Sequence, residues 1–456
     1  MIDIKEYLKL GTSNKRPETD RDHIELRRLM NEKWPIIKNF YKKSPEEIKT
    51  FQFQKIKELV KHAYETVIMY NEKYSSVGFH PNDLKTWEDF NNLPILKKEE
   101  LIDGFPEKTI SKNYGIDFTT RSSGSSGKFV TLVVSPDAIY MDTIQGARQF
   151  HFQSGENYNP TDLALFIYTS PWWVSSIDGE YPTEFLPTTT NINTIIKKIK
   201  ELKPKILSTY PTNLKRLGES EANLKESGIE LIVVHSEQST MEERKKLSDF
   251  FKIKILDEFS SEELTRIALE CPYREYHLEE DACYIEIVDI NTNKVLKENK
   301  SGLIVGTNLL NKATPIIRYS QGDIGTITGI KNCGCKSNFR TLESPQGRFM
   351  DSIIINDKEI VPAASFMDLA YNWYLEFDVP VHGLKYQIVQ NTRRDIDLFI
   401  VKGRFDLSPS QINRIKNSFY QLIPEYIDVK VHIVKETPIN LGTKYRPVIS
   451  LINKTG

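Results

Sequence analysis

The 456-residue sequence has no excess of charge of either sign, since Lys and Arg total 61 and Asp and Glu total 62. A protein that binds nucleic acid or anionic lipid over a broad surface needs a basic field, so we expect neither nucleic acid nor a membrane among its partners. No apolar run in the sequence approaches the length of a membrane span, and the first residues lack the hydrophobic segment of a secretory leader. The sequence therefore predicts a soluble cytoplasmic protein.

Cysteine is also scarce, with four residues in the whole chain. This number is too small for a disulfide scaffold and leaves metal binding or simple burial as explanations. Cys271 and His277 form one short cluster and Cys333 and Cys335 another, and together they supply three thiols and one imidazole, enough for a tetrahedral zinc site. Buried free thiols are the alternative. Cys283 lies in an alternating apolar segment and is assigned to the core.

Repeats and low-complexity segments are absent from the sequence, and its length favours two or three domains. Apolar residues recur with helical spacing over residues 45–74, which predicts an amphipathic helix. Buried strands are predicted at 163–168, 206–210, 229–234 and 252–256, and helices at 192–202, 213–226 and 241–251. This alternation predicts an α/β sheet covered on both faces. Residues 351–456 are predicted to form a smaller α+β block.

The richest chemical signal is the run Arg-Ser-Ser-Gly-Ser-Ser-Gly-Lys at residues 121–128. Its backbone N–H groups, hydroxyls and ammonium can all point at one anion, so the favoured ligand is the polyphosphate of ATP. A Walker A loop is excluded, because two residues separate Gly124 from Gly127 and Phe129 follows Lys128. The apolar residues that follow predict a strand, and hence a hairpin loop. A solvated Gly/Ser turn is the alternative.

Further polar motifs follow in order: Asp-Glu-Phe-Ser-Ser-Glu at 257–262, Arg-Tyr-Ser-Gln-Gly-Asp at 318–323, Gly-Arg at 347–348 and Gly-Thr-Lys at 442–444. With the serine-rich loop, they resemble the adenylate-forming ligases, most closely the phenylacetate-CoA ligase-like branch. The resemblance implies a large N-terminal α/β domain, residues 1–348, with sheets covered by helices, and a small mobile α+β C-terminal domain, residues 349–456.

The same resemblance implies an enzyme that uses ATP and Mg²⁺ to convert a carboxylic acid into an acyl-adenylate, with release of pyrophosphate. The acyl acceptor would be coenzyme A, a carrier thiol, an amine or a sugar. A non-catalytic nucleotide-binding homologue is the main alternative, and a phosphotransferase that releases ADP is disfavoured by the loop spacing. If the protein assembles, the expected oligomer is a homodimer.

The resemblance also implies roles for individual residues. The loop that would hold the β- and γ-phosphates consists of Ser122, Ser123, Gly124, Ser125, Ser126, Gly127 and Lys128. Glu262 would bind Mg²⁺ and act in catalysis with Lys444, which the family pattern places at the α-phosphate. Asp323 would bind the ribose, Arg348 the ribose or a phosphate, and the segment with Ser236 and Glu237 would lie beside adenine.

Several positions differ from the family pattern. Glu258 and Phe259 stand where a Tyr-Gly pair is usual, before Ser260 and Ser261, and the resemblance assigns these four residues to the nucleotide site. Thr443 separates Lys444 from its glycine. The residues expected to shape the acyl pocket are Tyr168, Trp172 and Trp173. The two tryptophans could equally belong to the core or to an interface.

Overall fold

The computed structural model describes residues 18–122, 130–169, 171–220, 223–347, 351–356, 359–377, 385–401, 407–439 and 445–452. The helices in these ranges are α1 (Asp20–Ile37), α2 (Pro45–Thr66), α3 (Ile68–Ser75), α4 (Trp87–Asn91), α5 (Lys98–Gly104), α6 (Pro136–Gln153), α7 (Ile192–Leu202), α8 (Pro211–Glu219), α9 (Met241–Phe251), α10 (Ala363–Glu376) and α11 (Pro409–Ser418).

The strands before the C-terminal block are β1 (Thr119–Arg121), β2 (Thr131–Val133), β3 (Ala164–Tyr168), β4 (Thr183–Pro187), β5 (Ile206–Thr209), β6 (Leu231–His235), β7 (Lys254–Ser261), β8 (Thr265–Glu270), β9 (Tyr276–Leu278), β10 (Cys283–Val288), β11 (Gly302–Asn308), β12 (Tyr319–Gly325), β13 (Ile327–Gly329) and β14 (Thr341–Leu342). Those of the C-terminal block are β15 (Ile353–Asn356), β16 (Glu359–Val361), β17 (Tyr386–Thr392), β18 (Asp395–Val401), β19 (Asp428–Val434) and β20 (Val448–Ser450).

A nine-stranded sheet in the order β13-β14-β9-β8-β7-β6-β5-β3-β4 is the centre of the fold. Strands β4, β3, β5, β6 and β7 are parallel, and β8, β9, β14 and β13 continue the sheet antiparallel. Alternate residues of β6 enter different cores: Ile232 and Val234 belong to one, Leu231 and Val233 to the other. The sheet is therefore covered on both faces, as the alternation of strands and helices predicted.

Element positions follow the sequence patterns closely where those patterns are clear. Helices α7 and α9 have the predicted bounds, and the predicted buried strands correspond to β3, β5, β6 and β7. The single helix predicted over residues 45–74 is wrong in one respect, because Val67 has extended backbone angles (φ −121°, ψ 118°) and divides it into α2 and α3. No helix in the described ranges is both long and apolar enough to pass through a lipid bilayer.

The C-terminal block has its own four-stranded sheet, β19-β18-β17-β20, and a two-stranded sheet, β15-β16. Aromatic side chains of α10 and of the turn after α11 pack together beside it, with Phe366 and Trp373 both against Phe419. This packing continues into the core cluster on one face of the nine-stranded sheet. The mixed α/β architecture agrees with the predicted fold class. The predicted domain boundary after residue 348 falls outside the described residues.

Candidate active site

A cavity of about 810 Å³ opens at the carboxyl ends of the parallel strands. Tyr168 at the end of β3, His235 at the end of β6 and Phe259 near the end of β7 line it, together with Tyr445 from the C-terminal block. Strand ends in open α/β sheets are where ligands bind, because the loops diverge there and leave a crevice. The cavity therefore brings motifs that are distant in sequence into one site.

Glu262 is held by two hydroxyl donors in the wall of this cavity. Thr120 Oγ1 donates a hydrogen bond to Glu262 Oε2, and Tyr168 Oη donates to Oε1 at 3.4 Å. Burial raises the pKa of Tyr168 well above its usual range, so the phenol stays protonated and available as a donor. Because Thr120 lies on β1, the carboxylate stands directly beside the hairpin that carries the serine-rich loop.

The hairpin itself is confirmed by the pairing of β1 with β2, in which Arg121 faces Thr131. Ser122 closes its neck: its N–H donates to Val130 O at 3.0 Å, and its Oγ accepts from Val130 N at 2.9 Å. The remaining predicted loop residues lie outside the described residues, as do the predicted ligands Arg348 and Lys444. Those residues are Ser123, Gly124, Ser125, Ser126, Gly127 and Lys128. Their roles stay predictions.

The turn after β6 joins the cavity to the C-terminal block. Ser236 has a left-handed backbone (φ 68°), and its Oγ lies 2.9 Å from Nδ1 of His235. The Glu237 carboxylate accepts from Thr212 N at 3.1 Å, from Thr212 Oγ1 at 2.7 Å and from Tyr445 N at 3.5 Å. Burial raises the pKa of Glu237. Both predicted residues thus line the cavity, and Glu237 also contacts the chain just after Lys444.

Glu258 does not behave like the aromatic residue that usually stands at its position. Its Oε2 accepts a hydrogen bond from Gln149 Nε2 at 2.6 Å. Burial opposes ionisation, but the charges of Arg266 and His235 outweigh it and lower the pKa of Glu258. Glu258 is therefore an ionised member of a polar network. The neighbouring predicted residues Phe259, Ser260 and Ser261 all line the same cavity.

Asp323 lines the cavity from β12. Gly322 before it has φ +87°, a conformation that glycine adopts without strain. The N–H of Ile324 donates to Gly347 O at 3.0 Å, so the strand that carries Asp323 is tied to the residue before Arg348. Two motifs that are separate in the sequence therefore meet at one edge of the site.

The predicted acyl-pocket residues Tyr168, Trp172 and Trp173 also line the cavity. Trp172 stacks on Phe166 with ring centroids 5.9 Å apart and planes 18° apart, and Trp173 contacts Phe118 edge-on at 5.7 Å. The tryptophans thus pack against the core and also line the cavity. A role in the acyl pocket and a role in the core are therefore compatible for these residues.

Sequence reasoning missed a polar set that lines the cavity, here called the polar wall: Asp142, Gln149, Glu258 and Arg266. Only Glu258 among them had been singled out. The first two lie on α6, which is buried over most of its circumference. Polar residues at helical spacing inside an otherwise apolar segment are the signal that could have revealed them.

A second polar group, the cysteine–histidine cluster, consists of Cys271, His277, Cys333 and Cys335. One candidate ligand atom from each lies within 4.8 Å of the others, and three of the residues are buried. His277 Nδ1 lies 3.3 Å from Phe339 O, which orients the ring so that Nε2 faces the Cys335 sulfur at 3.1 Å. Such an orienting contact is typical of metal-binding histidines. Cys283 is buried in β10, as predicted, and is not part of the cluster.

Close packing at the cluster depends on one glycine. A Cβ on Gly334 would lie 2.5 Å from the ring of Tyr273, so a larger residue cannot stand between the two thiols without displacing that ring. Tyr273 N in turn donates to the Cys271 sulfur at 3.4 Å. The donor set, three sulfurs and one imidazole nitrogen, fits a tetrahedral Zn²⁺ site.

Several known proteins are similar to this chain in sequence or in structure. No family model matches it. It is 25% identical over 383 residues to phenylacetate-coenzyme A ligase of Escherichia coli (strain K12), covering 79% of this chain and 83% of that protein. It is 24% identical over 344 residues to the phenylacetate-coenzyme A ligase of Pseudomonas putida, covering 70% of this chain and 74% of that protein.

Two solved structures share its fold. The 2-hydroxyisobutyryl-CoA ligase in the postadenylation state with 2-HIB-AMP has a TM-score of 0.73 at 16% identity, covering 90% of each chain. The ATP-bound MatB from Rhodopseudomonas palustris has a TM-score of 0.54 at 14% identity, covering 73% of this chain and 68% of that one. The fold is that of the adenylate-forming ligases. Within this fold, its sequence is similar to those of the phenylacetate-coenzyme A ligases.

Proposed function

We propose that the protein is an ATP-dependent carboxylic-acid ligase that makes an acyl-adenylate and transfers the acyl group to coenzyme A. The observation that carries this proposal is the meeting of Glu262, the neck of the serine-rich hairpin and Asp323 around one cavity at the strand ends. The sequence relatives named phenylacetate-coenzyme A ligase support the same reaction class.

In the first step, the substrate carboxylate attacks the α-phosphorus of ATP, and the bond to the pyrophosphate oxygen breaks. Catalysis of this step is mainly positioning and neutralisation of phosphate charge. Ser122 and the loop residues after it would hold the departing phosphates, while Asp323 offers two acceptor oxygens to a ribose diol. Lys444 and Arg348 remain the predicted cations for the α-phosphate and the ribose side.

Mg²⁺ would be held on the side of Glu262, since this hard cation prefers carboxylate and phosphate oxygens and uses few protein ligands. Bound there, it would neutralise phosphate charge. The chain's own contribution is to fix the carboxylate, through the hydrogen bonds from Thr120 and Tyr168. Glu262 is thus oriented before nucleotide arrives.

In the second step, the sulfur of coenzyme A attacks the acyl carbonyl, and AMP leaves. We propose that residues 349–456 form a small lid domain that moves between the two steps, a common way to exclude water and rebuild a site. A contact between the two parts supports a lid that closes on the cavity. Tyr445 N, in the proposed lid, donates to Glu237 Oε1 at 3.5 Å.

We further propose that the cysteine–histidine cluster binds a structural Zn²⁺ ion. Its four ligands come from the β8–β9 turn, β9 and the segment between β13 and β14, so the ion would join the antiparallel end of the sheet. Such sites are closed, with no position left for substrate. Reduced thiols persist in the cytoplasm, which is where we place the protein.

The deciding experiment is acid-dependent exchange of labelled pyrophosphate into ATP, across aromatic, aliphatic and hydroxylated carboxylic acids. Exchange that depends on the acid, with AMP as the nucleotide product and a thioester after coenzyme A is added, is the expected result. ADP as product would indicate a phosphotransferase. ATP binding without exchange for any acid would favour the non-catalytic nucleotide-binding homologue. An adduct that forms only with an amine or a sugar would show that the acyl acceptor is not coenzyme A, and adenylate formation would still stand.

A further inference from the structure

Arg266 lies in the wall of the proposed acid-binding cavity and is held there by polar neighbours. The residue is 5% exposed. Its Nε donates to Gln149 Oε1 at 2.6 Å, its Nη1 donates to the carboxylate and to the backbone oxygen of Asp142, and its guanidinium lies 5.3 Å from the ring centre of Trp172. The polar wall is therefore a continuous chain from Asp142 through Arg266 and Gln149 to Glu258.

One donor of this guanidinium is left over. Within the described ranges, no hydrogen bond is formed by Arg266 Nη2, and this nitrogen faces α6 at Gly146. A Cβ on Gly146 would lie 2.8 Å from Nη2, so in this position the guanidinium occupies the space that the glycine leaves beside the helix. Gly146 itself lines the cavity. The Nη2 donor and the space beside it are thus part of the acid-binding site.

Stability alone does not account for this arrangement. A glycine inside a helix costs roughly 0.5–1 kcal/mol relative to alanine. A buried ion pair is often no more stabilising than apolar residues of the same volume. The other buried arginine pairs, such as Arg148 with Glu279 and Asp281, do not line the cavity. Two locally unfavourable features coincide where the substrate would bind, which points to recognition.

The charges of the polar wall indicate which substrate group, a carboxylate, an ammonium or a hydroxyl, it could bind. Asp142 and Glu258 place two carboxyl groups beside the single guanidinium of Arg266, and the carboxyl group of Glu262 lies nearby. Burial raises the pKa of Asp142, whereas the pKa of Glu258 is lowered. A second carboxylate on the substrate would meet this excess, and an ammonium at Nη2 would face the guanidinium. A hydroxyl suits both neighbours, because its oxygen accepts from Arg266 Nη2 while its hydrogen donates to the Asp142 carboxylate.

We propose that the acid activated by this protein carries a hydroxyl group, which Arg266 and Asp142 recognise at the cavity wall beside Gly146. The inference rests on the proposed ligase function and names its substrate class. Sites built to bond a substrate hydroxyl discriminate strongly against analogues that lack it, because their own buried polar groups are then left unpaired.

The test compares matched acids by pyrophosphate release: benzoate with its three monohydroxy derivatives, butyrate with 2-, 3- and 4-hydroxybutyrate, and isophthalate and 3-aminobenzoate as charged or amino analogues. The best hydroxy acid should exceed its parent in kcat/KM by about 30-fold or more. Equal or better use of the parent acids, or a preference for isophthalate, would overturn the inference and leave the ligase function intact. Release with no acid at all would contradict both.

Variants of Arg266 and Asp142 test whether these two residues cause the preference for hydroxy acids. Arg266→Met should reduce the ratio of kcat/KM for the hydroxy acid to kcat/KM for its parent to about threefold or less. Asp142→Asn, which preserves volume, should lower the same ratio if Arg266→Met does not fold. Arg340→Met removes a half-buried ion pair with Glu280 away from the cavity and serves as the control, with an unchanged ratio. A ratio that survives both Arg266→Met and Asp142→Asn would assign the pair a purely structural role.

Discussion

The nine-stranded sheet carries two polar groups that differ in how completely their atoms are paired. The cysteine–histidine cluster, at the antiparallel end, gathers four donors around one point, with apolar residues such as Phe40 and Phe339 packed against it. The polar wall, at the carboxyl ends of the parallel strands, lines a cavity and leaves one guanidinium donor without a partner among the described residues. A closed group can only stabilise the fold, whereas an open one can meet a ligand.

This difference predicts which measurements each group should affect. Changes at the cluster should alter the free energy of unfolding and leave substrate preference alone. Changes around the cavity should alter kinetics at nearly constant stability.

The largest effect is expected from breaking the closed group. Cys333→Ser should lower zinc content from about one per chain to near zero and reduce the melting temperature markedly, because structural zinc is worth on the order of 10 kcal/mol in small domains. Elemental analysis and calorimetry measure both. Cys283→Ser, a buried thiol outside the cluster, should retain the metal. Protein purified without chelator that contains no zinc would refute the site.

The next effect concerns the open site. Glu262→Gln should lower kcat/KM for adenylate formation by about 100-fold or more, because the amide cannot supply the negative charge that orients Mg²⁺ and phosphate. Pyrophosphate exchange measures it. The melting temperature should stay nearly unchanged, since the amide oxygen can still accept from one of the hydroxyls of Thr120 and Tyr168 while the amide NH2 donates to the other hydroxyl oxygen. Glu275→Gln, beside the cysteine–histidine cluster, is the matched control and should have wild-type kinetics. A large stability loss in Glu262→Gln would make this residue structural.

A smaller effect is expected at the ribose side. Asp323→Ala should raise KM for ATP by about 10- to 100-fold, because a hydrogen bond to a charged acceptor is worth about 1.5–3 kcal/mol. The kcat at saturating ATP should change less, which separates binding from chemistry. Steady-state kinetics with varied ATP decides it. An unchanged KM would remove Asp323 from the nucleotide site.

Secondary structure was predictable where a segment's own residues decide it. The bounds of α7 and α9 follow from apolar spacing, and β6 from a run of β-branched residues. The break at Val67 was not predictable, because the apolar positions continue at helical spacing on both sides of it. The polar wall was missed for a related reason: Asp142 and Gln149 are 124 and 117 residues from their common partner Arg266, and no local pattern links them.

The order of the motifs and the chemistry they offer can be deduced from residue type and spacing: a serine-rich turn, a run of carboxylates, and two pairs of metal-binding side chains. These properties are local. The hydrogen bond between Glu258 and Gln149, the position of Arg266 Nη2 beside Gly146, and the convergence of three thiols and an imidazole arise only when the chain is folded. Such contacts join strands and helices far apart in the chain, and the packing of the sheet alone sets their distances.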